Sequence, residues 1–118
     1  MGIDLICAEL VLELKAQYPG ITLEAAIPFR GQDNLWPQKY RDRYHSVLER
    51  CDSQHVVSKV YGDDVYDRRN RYMVDKCGVL LAVWDGKPGG TANTVKYGQK
   101  RRKQIIIIDP FAALESLM

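Results

Sequence analysis

Val79–Gly98 reads VLLAVWDGKPGGTANTVKYG, and this stretch decides the fold. Its opening VLLAVW is an uninterrupted apolar run, the pattern of a parallel strand covered on both faces. Gly86, Gly89 and Gly90 then break the run, and a helix opening at Gly89-Gly90 is expected to continue to about Arg101. A strand passing into a helix through a glycine-rich turn is the building unit of open parallel α/β sheets. In such sheets, ligands bind outside the carboxyl ends of the strands.

Working outward, Ile105–Ile108 (IIII) is a second fully apolar strand, ended by Asp109-Pro110 before a short terminal helix. Upstream, Asp63 or Asp64 is placed to cap a helix that runs to about Cys77 and stops at Gly78. Its expected inward stripe is Val65, Arg69, Tyr72, Met73 and Lys76. Gln54–Ser58 reads as a short strand. Trp36, Tyr40, Tyr44, Val47, Leu48 and Cys51 recur at helical spacing, and Ile21–Ile27 reads as a strand closed by Pro28. Ile3, Ile6, Cys7, Leu10 and Leu14 form the apolar stripe of a first helix, with Glu9, Glu13 and Gln17 on another face and Pro19-Gly20 as its stop. The expected architecture is one α/β domain over residues 1–118. It is a Rossmann-like parallel sheet of about four strands with helices on both faces. Because the chain begins with a helix, the usual opening strand of a doubly wound sheet is expected to be lacking.

Composition narrows the function classes. The chain has 118 residues, 46% hydrophobic and 27% charged, ordinary values for a globular domain. A formal net charge of +2 does not by itself call for a polyanionic partner. Cys7, Cys51 and Cys77 are odd in number and widely spaced, the pattern of small buried residues in a reducing compartment rather than a disulfide framework. With only His45 and His55 and no paired-cysteine spacing, no metal site is expected. No signal peptide or membrane-length apolar run is legible, so a cytoplasmic location is expected and membrane association is not.

Three segments carry candidate binding chemistry. In the first, Asp85–Thr94, glycines let a ligand approach the backbone. Thr91, Asn93 and Thr94 add hydroxyl and amide groups, and unpaired N–H groups at the helix start suit a phosphate. The alternative is a plain tight turn with Thr91 as a helix cap. The second segment, Arg68–Asp75 (RRNRYMVD), holds Arg69 and Asn70. The inward stripe gives Arg69 a part-buried stem, and a part-buried guanidinium calls for an anion. Arg68 and Arg71 read as a solvated face. The third, Pro28–Trp36 (PFRGQDNLW), offers Phe29 and Trp36 for stacking and Gln32 and Asn34 for polar contacts, although Trp36 reads equally well as core and Asn34 as a helix cap. Convergence of the three segments on one cleft is the expectation. Lys100–Lys103 (KRRK) reads first as cations complementing a helix C-terminus, and second as a nucleic-acid contact.

These motifs, together with GID at Gly2–Asp4 and IPFRGQ at Ile27–Gln32, resemble the YpsA-type branch of the SLOG superfamily over nearly the whole chain and in the same order. The resemblance implies a Rossmann-like fold and a nucleotide or nucleotide-derived ligand. Relatives in that superfamily include the LOG phosphoribohydrolases and the DprA single-strand DNA-binding proteins. The family's first strand and its glycine-containing loop precede the equivalent of Gly2, so a shortened form or a fragment is expected. In the LOG pattern a catalytic glutamate follows the glycines, and Lys96 stands at that place here. The leading expectation is therefore non-catalytic binding of a nucleotide or ADP-ribose-like ligand by a sensor, regulator or sequestering module. A phosphoribohydrolase using Asp85 or Asp4 is the first alternative, and single-strand DNA binding through Arg68, Arg71 and Lys100–Lys103 the second. A homodimer is expected from the exposed strand edge.

Overall fold

The computed structural model describes residues 2–112. The elements are α1 (Ile3–Leu14), β1 (Glu24–Phe29), α2 (Gln38–Arg50), β2 (Ser53–Ser58), α3 (Val65–Lys76), β3 (Val79–Val83), α4 (Gly90–Lys100) and β4 (Gln104–Ile108). Helical geometry resumes over 110–112, and the remainder of the expected terminal helix lies outside the described residues. This is the expected α/β, Rossmann-like alternation, and both strand pairings are parallel. The strands pair two and two, β1 with β2 and β3 with β4. The chain divides in step into two compact units, Met1–Val65 and Tyr66–Met118. Among the described residues no helix is long and apolar enough to cross a membrane.

In the first unit β1 begins at Glu24 rather than Ile21 and runs through Pro28 to Phe29. Pro28 has no N–H to give; the register passes from Ile27↔Val56 to Phe29↔Ser58 around it, and its ring is buried. Helix α2 starts after Pro37 instead of at Trp36, because a residue preceding proline is pushed out of helical geometry while proline itself tolerates the first turn.

Helix α1 forms where expected but is rotated about its axis. Ile3, Ile6, Leu10 and Leu14 are 44–51% exposed, and the buried residue is Leu5. Two ion pairs fix that rotation. The Arg43 guanidinium on α2 holds both carboxylate oxygens of Glu9. Lys15 Nζ donates to both oxygens of Asp52 at 2.7 and 2.8 Å, while Asp52 Oδ2 also accepts the Leu23 N–H at 2.7 Å. The first helix is thereby tied to α2, to the approach to β1 and to the turn before β2.

In the second unit Ala92, Val95 and Gly98 form the buried side of α4. A Cβ built on Gly98 would lie 2.9 Å from Leu80 Cδ2 and 3.3 Å from Ile105 Cδ1, so the helix backbone rests directly on the β3–β4 pair. On α3 the fully buried residue near the end is Val74, which the expected stripe omitted, whereas Met73 on that stripe is 46% exposed. The two apolar strands are not covered on both faces. Val79, Leu81, Ile106 and Ile108 are all exposed, and the register Leu81↔Ile106 puts these alternate residues on one side of the pair. One helix can shield only one face of a two-stranded sheet. Cys7, Cys51 and Cys77 are free thiols, half-buried rather than buried.

Candidate functional site

The turn after β3 is built by its own side chains. Trp84 extends the ladder by one bond, its N–H donating to the Ile108 carbonyl at 2.9 Å. Its indole Nε1–H then donates to the Lys87 carbonyl at 2.8 Å, and Asp85 Oδ1 accepts the Lys87 N–H at 3.0 Å. Asp85 thus closes an Asx-type turn, and its other oxygen lies 4.0 Å from Lys87 Nζ. These contacts give the Asp85 carboxylate a structural part in shaping the turn.

Gly89 caps α4 with φ 149° and ψ −164°, a combination essentially confined to glycine, and no side chain caps the helix. The first N–H groups of a helix have no partner within it. Around Gly86, Gly89 and Gly90 a Cβ would meet nothing within 4 Å, so the backbone here is open to an approaching group. Thr91 is exposed beside it. Thr94 is differently employed: its Oγ1–H donates back to the Gly90 carbonyl at 2.9 Å and tightens the first turn. Asn93 lines an open cleft between α3 and α4 together with Asp67, Arg71, Lys96, Tyr97 and Lys100. The glycine segment therefore divides into a side-chain-closed turn (Trp84–Lys87), an uncapped helix start (Gly89–Thr91), a threonine that tightens the first turn and a cleft-lining asparagine.

Arg69 and Asn70 are half-buried on α3. Arg69 Nε–H donates to Asn70 Oδ1 at 2.8 Å, and its guanidinium lies 6.0 Å from the Tyr66 ring centre. Nearby, Tyr97 Oη–H donates to Asp75 Oδ1 at 2.7 Å, and that bond holds the phenol above its ordinary value of 10.0.

The candidate loop of the first unit forms its own cluster. Phe29 packs edge-on against Tyr61 with ring centres 5.5 Å apart. Gln32 Nε2–H donates to Tyr44 Oη at 3.1 Å, and Trp36 lies 5.2 Å from the Tyr44 ring. Among the described residues Asp33 is the buried polar one, 6% exposed, with Oδ2 at 2.8 Å from His45 Nε2 and 3.5 Å from Arg41 Nε. Sequence reasoning named Phe29, Gln32 and Trp36 but missed Asp33, Tyr44 and His45, whose importance comes from contacts across the loop. Asp4 lies exposed in the first turn of α1, where a carboxylate complements the helix dipole.

Comparison with known proteins gives a consistent answer. The model of the YpsA family, described as YspA SLOG family, matches residues 1–112. A UPF0398 protein of Halalkalibacterium halodurans is 33% identical over 107 residues, 88% of this chain and 57% of that protein. UPF0398 proteins of Bacillus cereus strains B4264 and G9842 are 26% identical over 107 residues and 29% over 104. Those matches cover 89% and 86% of this chain, and 58% and 56% of the relatives. The chain thus spans a little over half the length of the curated relatives it matches.

Proposed function

Because the chain belongs to the YpsA family of SLOG proteins, we propose that it binds a nucleotide or ADP-ribose-like ligand as a sensor, regulator or sequestering module. The observation that carries this reading is the start of α4. Gly89 is held in a conformation other residues avoid, no side chain caps the helix, and open space surrounds Gly89 and Gly90. A phosphate there would accept N–H groups of Gly90 and Thr91 with the Thr91 hydroxyl beside them, and the positive end of the helix dipole would favour its charge. Arg69 and Asn70 are the further candidates in the same unit. Phe29, Gln32 and Trp36 belong to the first unit, where they form a separate candidate cluster of ring faces and an amide with Tyr61 and Tyr44. Thr94 acts indirectly, by holding the first turn in shape.

Binding without turnover is the form of this proposal. Lys96 stands where the LOG pattern has its glutamate, and Asp85 is engaged by the turn it closes. Isothermal titration calorimetry with ADP-ribose, NAD and cyclic nucleotides tests the proposal. Saturable heat for one of them, weakened by Gly90→Ala, is the expected result; a folded protein giving no heat with any of them overturns it.

A further inference from the structure

The two units differ sharply in charge. Met1–Val65 carries seven Lys and Arg against ten Asp and Glu, whereas Tyr66–Met118 carries ten against five. The small net charge of the whole chain conceals this asymmetry, which is the kind that points to a polyanion on the basic side.

The basic unit also offers a concave place for such a partner. The cleft between α3 and α4 has a volume of about 350 Å³ and is lined by Asp67, Arg71, Asn93, Lys96, Tyr97 and Lys100. Its two acidic neighbours are already neutralised: Arg71 Nε lies 2.9 Å from Asp67 Oδ2, and Arg101 Nε lies 3.2 Å from Asp75 Oδ1. Lys96 and Lys100 are exposed on the opposite wall, one helical turn apart, and among the described residues neither forms an ion pair. Between the walls, the Arg71 guanidinium sits 4.7 Å from the centre of the Tyr97 ring, which the bond to Asp75 holds in place. Two spaced cations beside a guanidinium–aromatic pair match what a single strand presents: regularly placed phosphates and unstacked bases.

We infer that the α3–α4 cleft binds single-stranded nucleic acid, with Lys96 and Lys100 on the phosphodiester backbone and the Tyr97–Arg71 pair against a base. The inference stands apart from the nucleotide reading, because it rests on the charge distribution and on side chains of the α3–α4 cleft rather than on the bare backbone at Gly89 and Gly90. A cleft of this size admits one strand, which disfavours a duplex. An acidic peptide would leave the Tyr97–Arg71 surface unused.

The test is fluorescence anisotropy of the full chain with labelled 20-nucleotide DNA and RNA strands, repeated across salt concentrations. For wild type, log affinity should fall linearly with log salt. The Lys96→Gln/Lys100→Gln variant should bind at least tenfold more weakly at 50 mM salt. Its slope should be shallower by about 1.4, from two phosphate contacts at about 0.7 each. Both lysines are exposed, and circular dichroism would confirm that the variant folds. Tyr97→Leu should weaken binding of the strand and leave the salt slope unchanged. A preference between DNA and RNA identifies which source of the shared chemistry is used. The inference is overturned by no binding to either strand, by an unchanged slope in the double-lysine variant, or by equal affinity for a duplex, an acidic peptide or an anionic vesicle. Calorimetry with nucleotides is read separately, so either proposal can fail alone.

Discussion

Gly89 and Gly90 are adjacent, and replacing each by alanine should move stability in opposite directions. At Gly89, φ 149° and ψ −164° lie where a Cβ-bearing residue is strained by about 1–3 kcal/mol. Alanine also stiffens the unfolded chain, which offsets about 0.4–1 kcal/mol of that cost. No neighbour lies within 4 Å of the added Cβ, so neither a clash nor new packing alters the balance. The net loss for Gly89→Ala is about 0.5–2 kcal/mol, and at roughly 4–8 °C per kcal/mol in a domain near this size it lowers Tm visibly. Gly90 opens the helix with ordinary φ and equally open surroundings, so Gly90→Ala should raise stability by about 0.5 kcal/mol through helix propensity. Thermal unfolding followed by circular dichroism, with urea titration as a second measure, gives both signs. If Gly89→Ala proves as stable as wild type, or Gly90→Ala loses stability, the account of this turn is wrong. The pair also separates function from folding, since a Gly90→Ala protein that is firmer but binds its ligand tenfold more weakly could have lost only the close approach to the backbone.

Two further expectations come from other parts of the chain. The Asp52 carboxyl lies below its ordinary value of 3.8, first because of Lys15 and then because of the Leu23 N–H, and Glu9 lies below 4.5 chiefly through Arg43. A lowered carboxylate contributes stability above its unfolded value and loses it as pH falls through the folded one. Unfolding monitored from about pH 5 down to about pH 2 should therefore show a fall that Asp52→Asn flattens, and an unchanged acid limb in that variant would remove Asp52 from the explanation. Separately, the bare face formed by Val79, Leu81, Ile106 and Ile108 is expected to bring two copies together. Light scattering should give twice 13.5 kDa for wild type and the single mass for Leu81→Lys/Ile106→Lys. A wild-type monomer at micromolar concentration refutes the association.

Much of the α/β order was legible because glycine, proline and apolar runs punctuate the chain. The strand–turn–helix at Val79–Gly98 needed little more than VLLAVW followed by three glycines. What was not legible depends on partners distant in sequence. The rotation of α1 is set by Glu9–Arg43 and Lys15–Asp52, 34 and 37 positions apart, and a helical wheel cannot contain that information. The burial of Asp33 depends on Arg41 and His45, eight and twelve residues on. The Thr94 hydroxyl is spent on the Gly90 carbonyl, a short-range bond that competed with the ligand role read from its residue type. The net charge of +2 hid the basic second unit because opposite excesses nearly cancel.

Gly98 gives α4 a mechanical character. Because the helix backbone meets the Leu80 and Ile105 side chains of β3 and β4 there with no side chain of its own between, it rests as a rod does on a fulcrum, with its glycine-crowned tip about 12 Å away at about 1.5 Å per residue. Such a rod can tilt but cannot sink. A methyl or larger group at position 98 would act as a shim, lifting the contact point and swinging the tip through an arc. Shape at the far end is thus controlled by thickness at the support, and the loop can be retuned by substitutions that never touch it.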